Sequence, residues 1–206
     1  MEEQQLKDIV YSGKVLEFVA VANEYCRMVE SARDYDAPAL VNLARKLLPL
    51  LYFKGSLLPV LTPVLDEEPA KTVTELDYNV YLQRWMAKLG NYDAFREVFD
   101  PELQFGTEAV TASISESMLD IYQDMKDFVT SYSLGDEAVM HDALAVCLRH
   151  FGEFWGQRLV NVLRALHQLW FTEGDQGLQE GSAAESNNPA TGTRGWVDRF
   201  FSEGNG

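Results

Sequence analysis

Leu144-Ala-Val-Cys-Leu-Arg-His-Phe-Gly-Glu-Phe-Trp-Gly-Gln-Arg-Leu-Val-Asn-Val-Leu-Arg-Ala-Leu-His-Gln-Leu169 decides how this chain folds. Leu144, Leu148, Phe151, Trp155, Val162, Leu166 and Leu169 recur at the alternating three- and four-residue spacing of a packed helix face. Arg158 falls on that face, between Trp155 and Val162. An unpaired buried guanidinium costs several kcal/mol or more, so this position predicts a carboxylate partner on a neighbouring helix. Asp120, Asp124 and Asp127 share one flank of an upstream helical stretch. Asp124 or Asp120 is expected to meet Arg158 and pin the register of two antiparallel helices.

Outward from that stretch, the same period dominates. No segment alternates apolar and polar residues between strand-like turns. A first helix is expected from near Leu6 to Ser31, with Phe18, Ala22, Tyr25 and Val29 on one face. Asp36 before Ala37-Pro38 reads as the cap and first turn of a second helix, which Pro49 should kink or approach the end of. Thr74 and Asp77 resemble a capping box opening a third helix, with Tyr78, Tyr81, Leu82, Trp85 and Leu89 inward and Gly90 as its stop. A short helical piece is expected over 91–99. A longer helix then starts near Thr107, with Val110, Ile114, Met118, Ile121, Met125, Phe128 and Tyr132 as its stripe. Gly135 closes it, and Asp136 caps a last helix that continues to about Phe171. Gly152 and Gly156 interrupt that helix, each at about 1 kcal/mol relative to Ala, so close packing of another helix is the expected compensation.

The 206 residues suffice for one domain with a real core plus an appendage. Of the chain's 14 glycines, 7 fall in 172–206, so that stretch reads as a linker. It ends in Arg194-Gly-Trp-Val-Asp-Arg-Phe-Phe201, where Trp196, Phe200 and Phe201 either dock back on the bundle, the favoured arrangement, or form a partner-binding peptide. The 47% apolar fraction excludes wholesale disorder. A net charge of −15 repels phosphate backbones and makes nucleic acid a poor partner, while a basic partner or cationic ligand is permitted. Cys26 and Cys147 sit among apolar residues and read as core thiols of a reducing compartment. The window from Leu47 to Leu65 is the most hydrophobic, but Lys54, Pro49, Gly55, Pro59 and Pro63 make it a bad membrane span. A soluble cytoplasmic protein is expected.

Sites for chemistry are sparse. His150 and Glu153 have the i,i+3 spacing of two metal ligands, but a helical di-metal site needs Glu-x-x-His twice, and the sequence has none. No Gly-x-Ser-x-Gly or Gly-rich phosphate loop occurs. Ser113, Ser115 and Ser117 read as helix hydroxyls bonded to the preceding turn or to water. The plain reading of Asp120, Asp124 and Asp127 is a solvated acidic face. The functional one places Arg158 at the floor of a pocket.

Asp120-Ile-Tyr-Gln-Asp-Met-Lys126, followed by Phe154-Trp-Gly-Gln-Arg-Leu-Val-Asn-Val-Leu-Arg-Ala-Leu-His167, resembles a bacterial all-helical family of unknown function over roughly residues 10–171. The resemblance implies an all-α fold and supplies no activity. It points to Asp120, Tyr122, Asp124, Trp155 and Gly156 as the places to look for a shared site. Where the family pattern has histidine, this chain carries Phe154 and Arg158, which argues against a histidine-based site.

The sequence therefore describes an all-α bundle of about five main helices over 1–171 with an aromatic-ended tail over 172–206. Its expected role is a non-catalytic interaction or adaptor protein, binding a protein partner or itself, with no metal or cofactor. The alternative is an enzyme or small-ligand-binding protein with an interhelical pocket near Asp120, Asp124 and Arg158, lined also by Tyr122 and Trp155.

Overall fold

A computed structural model describes residues 3–65, 69–97 and 111–173, with residues 172 and 173 described by backbone alone. The architecture is all-α. Helices α1 (Glu3–Val10) and α2 (Gly13–Glu30) divide what the apolar period joined into one. Ser12 takes an extended conformation between them, and Tyr132 Oη donates to the freed Val10 carbonyl at 2.6 Å. The helix end is thus satisfied by a side chain from elsewhere in the bundle.

Helix α3 (Ala37–Ser56) starts as expected, with Asp36 Oδ1 accepting the Ala39 N–H at 2.8 Å. Pro49 does not end it. Pro49 lies on the exposed side, and the helix runs on past it to Ser56. Helix α4 (Glu75–Leu89) begins at the Thr74–Asp77 box and stops at Gly90, whose φ of 53° is left-handed.

The expected helical piece over 91–99 is instead a 3₁₀ turn, Gly90–Tyr92, followed by β1 (Ala94–Arg96). It pairs antiparallel with β2 (Thr111–Ser113). Helix α5 (Ile114–Tyr132) correspondingly starts later than Thr107. Asp93 explains both shifts. Its carbonyl accepts Ile114 N–H, and its carboxylate accepts the Ser115 N–H and the hydroxyls of Ser113 and Ser115. A buried aspartate thereby fixes the turn before α5 and the first turn of the helix.

Gly135, at φ 78°, turns the chain into α6 (Glu137–His150), and Asp136 caps it by accepting Ala138 and Val139 N–H. A π-helical turn, Phe151–Trp155, leads without a break into α7 (Gly156–Gln168) and a second such turn, Leu169–Glu173. At Gly156 an added Cβ would stand 2.3 Å from the Phe151 carbonyl oxygen and 2.9 Å from its ring. The glycine is therefore required by the π turn itself and not by a neighbouring helix. Gly152 faces open space. The close helix approach occurs at Gly55, where a Cβ would lie 3.3 Å from the Trp155 indole.

The core sits where α2, α3, α5 and α7 meet. Phe18 packs against Phe128 at 5.3 Å and Trp155 at 6.5 Å between ring centroids. Cys26 and Cys147 are buried, unbridged thiols, and burial raises the pKa of both. The inward seam of α7 runs Trp155, Leu159, Val162, Leu166, Leu169. Arg158 is thus beside the seam, with its side chain 46% exposed, and the expectation of a guanidinium inside the bundle is overturned. The longer π turn carries an extra residue, so spacing established before Gly152 does not continue in phase beyond it. The tail from residue 174, with Trp196, Phe200 and Phe201, lies outside the described residues, as do Thr107 and Val110.

Candidate functional site

Between α5, the α6–α7 rod and the connection from α3 to α4 lies a cleft of ≈ 290 Å³. Helix α5 supplies Asp120, Gln123, Asp124 and Asp127 to it, and the rod supplies His150, Phe154, Trp155 and Arg158. The third wall is the α3–α4 strap, through Lys71 and Val73. A smaller recess of ≈ 50 Å³ continues beneath Pro69 towards Cys147.

The strap crosses the α5–α6 hairpin because two aspartates hold its backbone. Asp142, on α6 and 1% exposed, accepts the Val64 N–H at 2.8 Å and the Leu65 N–H at 2.7 Å. Asp127 accepts the Thr72 N–H at 2.6 Å. His141 Nδ1 lies 2.9 Å from Asp142 Oδ1, which favours the tautomer protonated there, while its Nε2 is buried without a partner. Sequence reasoning missed this strap. Backbone donors carry no residue-type signal, so an Asp that binds them is indistinguishable from a solvated one.

The three aspartates of α5 have different partners. Asp120 accepts from Tyr78 Oη at 2.8 Å and from the Arg158 guanidinium. The expected carboxylate–Arg158 pin is therefore formed by Asp120, between antiparallel segments but at the cleft rim. Asp124 instead meets His150 Nδ1 at 2.6 Å. Burial raises the Asp124 pKa above the usual carboxylate range, opposed by the hydrogen bond and charge of His150. Burial and the adjacent Asp120 raise the Tyr78 pKa, so Tyr78 remains a donor. Asp124 and Asp127 each keep their second carboxylate oxygen without a donor among the described residues.

Of the candidates read from sequence, Asp120, Asp124, Trp155 and Arg158 share this cleft. Tyr122 does not. It is buried on the opposite side of α5, where its hydroxyl donates to Glu30 Oε1 at 2.9 Å beside Lys126. Trp155 forms the floor, its Nε1 donating to the Cys147 carbonyl at 2.9 Å. His150, Phe154, Lys71 and Tyr78 complete the surroundings. Phe154 is 60% exposed.

Residues 9–172 match the domain of unknown function DUF5063. The chain belongs to the DUF5063 family. It is similar to the crystal structure of protein BF1032 from Bacteroides fragilis, with 38% identity and a TM-score of 0.71 over 80% of this chain and 96% of that one. No curated protein matches it. Membership in DUF5063 brings no activity, so the function of the chain is unknown. The family resemblance read from Asp120-Ile-Tyr122 and Trp155-Gly156 is thereby shown. Within the DUF5063 domain the first motif divides between cleft rim and core, and the second builds the cleft floor and the π turn.

The described residues lining the cleft include no serine, threonine or cysteine, and its ionisable groups are Lys71, Asp120, Asp124, Asp127, His150 and Arg158. Among the described residues no three His, Cys, Asp or Glu are grouped to hold a metal ion, and Glu153 is not beside His150 in the cleft. No described helix is long and apolar enough to cross a membrane.

Proposed function

We propose that this protein is an interaction module whose cleft recognises an arginine- or lysine-bearing aromatic segment of a protein partner. The observation that carries this reading is the pair of half-used carboxylates, Asp124 and Asp127, lining one open cleft with the exposed ring of Phe154. A guanidinium gains most where it meets a carboxylate fork and an aromatic face together. Arg158 does not favour an anionic partner, because its charge is already spent on Asp120.

Fluorescence polarisation with a panel of dye-labelled peptides, each pairing Arg or Lys with aromatic residues, tests the proposal. Saturable binding to the unmodified protein, weakened at least tenfold by Asp124→Asn with Asp127→Asn, is expected. Binding that ignores these substitutions, or favours acidic peptides, refutes it.

A further inference from the structure

We infer that the chain's own Arg194-Gly-Trp-Val-Asp-Arg-Phe-Phe201 is a ligand of this cleft and occupies it within the same molecule. The inference rests on the proposed recognition of cationic aromatic segments. Three observations support it.

The first is charge. In a chain of net charge −15, this segment holds two arginines and one aspartate around three large aromatics. Beside Phe154 the cleft offers one carboxylate oxygen each of Asp124 and Asp127 that no described donor meets. The second is reach. From Arg158 to Glu173 the rod rises about 22 Å at 1.5 Å per residue. Residues 174–193 supply twenty links, up to about 66 Å of contour at about 3.3 Å each, more than that distance. A segment tethered within reach of its own site acts at an effective concentration of up to order millimolar. Even a weak segment would then fill the cleft of its own chain. The third is placement. The DUF5063 match covers residues 9–172, so the segment lies outside the matched domain.

The consequence is autoinhibition, in which an external partner must displace the tail. The test uses full-length protein and a dye-labelled synthetic peptide of residues 194–201. Unmodified protein should bind this peptide at least tenfold more weakly than full-length protein carrying Trp196→Ser, Phe200→Ser and Phe201→Ser. Adding Asp124→Asn and Asp127→Asn to the tail variant should remove the gain. Equal, Asp-dependent binding to both tail forms overturns occupation by the tail while leaving cleft recognition intact. Binding that is absent, or insensitive to the aspartates, overturns both. Sedimentation velocity should show a monomer at all concentrations. A concentration-dependent dimer abolished by the tail substitutions overturns occupation within one molecule.

Discussion

Replacing Gly156 with alanine should destabilise the protein although the site is helical and Ala is the better helix former. The new Cβ would lie 2.3 Å from the Phe151 carbonyl oxygen and 2.9 Å from Cδ2 and Cε2 of the Phe151 ring. The ring could rotate aside, but the carbonyl belongs to the π turn and moves only if that turn is rebuilt. Overpacking of this kind costs about 1–3 kcal/mol, and a backbone collision belongs at the upper end. Helix propensity returns about 1 kcal/mol, leaving a net loss of about 2 kcal/mol. With a urea dependence of about 2 kcal/mol per molar, the unfolding midpoint should fall by about 1 M. Gly152→Ala is the matched control, since its Cβ meets nothing within 4 Å in the same turn. That variant should gain up to about 1 kcal/mol and raise the midpoint by about 0.5 M. Urea melts of both variants followed by circular dichroism decide the matter. Midpoints that move in the same direction would refute the assignment of Gly156 to the π turn.

Asp142→Ala removes a buried acceptor of two strap N–H groups and an imidazole, and should cost about 3–5 kcal/mol. Hydrogen exchange should show lost protection at Val64 and Leu65 first, and unchanged protection there would mean the strap is held by something else. Arg158→Ala should cost less than about 1 kcal/mol in thermal or urea unfolding, because its ion pair with Asp120 is part-exposed. A loss above about 2 kcal/mol would restore a buried pin. For Asp124, burial raises the folded-state pKa, so its contribution is fully present below the unfolded value of about 3.9 and is lost as pH rises through the folded value. The melting temperature of Asp124→Asn relative to the unmodified protein should therefore rise between about pH 4 and pH 7. A difference that falls over this window would show that the charge of His150 outweighs burial.

Much of the helical frame was legible because its signals are local. Asp36, Thr74 and Asp136 cap the helices they were read to cap, and Gly90 and Gly135 turn the chain at positive φ. The errors arose where a distant partner overrides local pattern. The Ser12 break is completed by Tyr132, some 120 positions away, and the late start of α5 is set by Asp93 across a strand pair. The site was half legible. Asp120 and Arg158 announced each other as opposite charges beside apolar stripes, yet the seam passes through Leu159, and the period alone could not choose between adjacent positions across a π turn. Tyr122 was misplaced because it faces Glu30, a residue one helical face away from the aspartates that flank it in sequence.

The three aspartates of α5 differ in how geometry partners their carboxylates. Cationic Arg158 pairs with Asp120, whereas a backbone N–H bonds Asp127 and the His150 ring bonds Asp124. A neutral donor fixes a carboxylate in place without removing its charge. A cation entering the cleft would therefore meet Asp127, whose one described donor is a backbone N–H, with Lys71 facing it from the strap among the described lining residues. Burial raises the Asp124 pKa, so as the medium acidifies Asp124 takes up a proton before an ordinary aspartate does, and a cationic partner loses that carboxylate. A partner bound through Asp124 and Asp127 should accordingly release as the medium acidifies, whereas one bound through the aromatic floor alone should not.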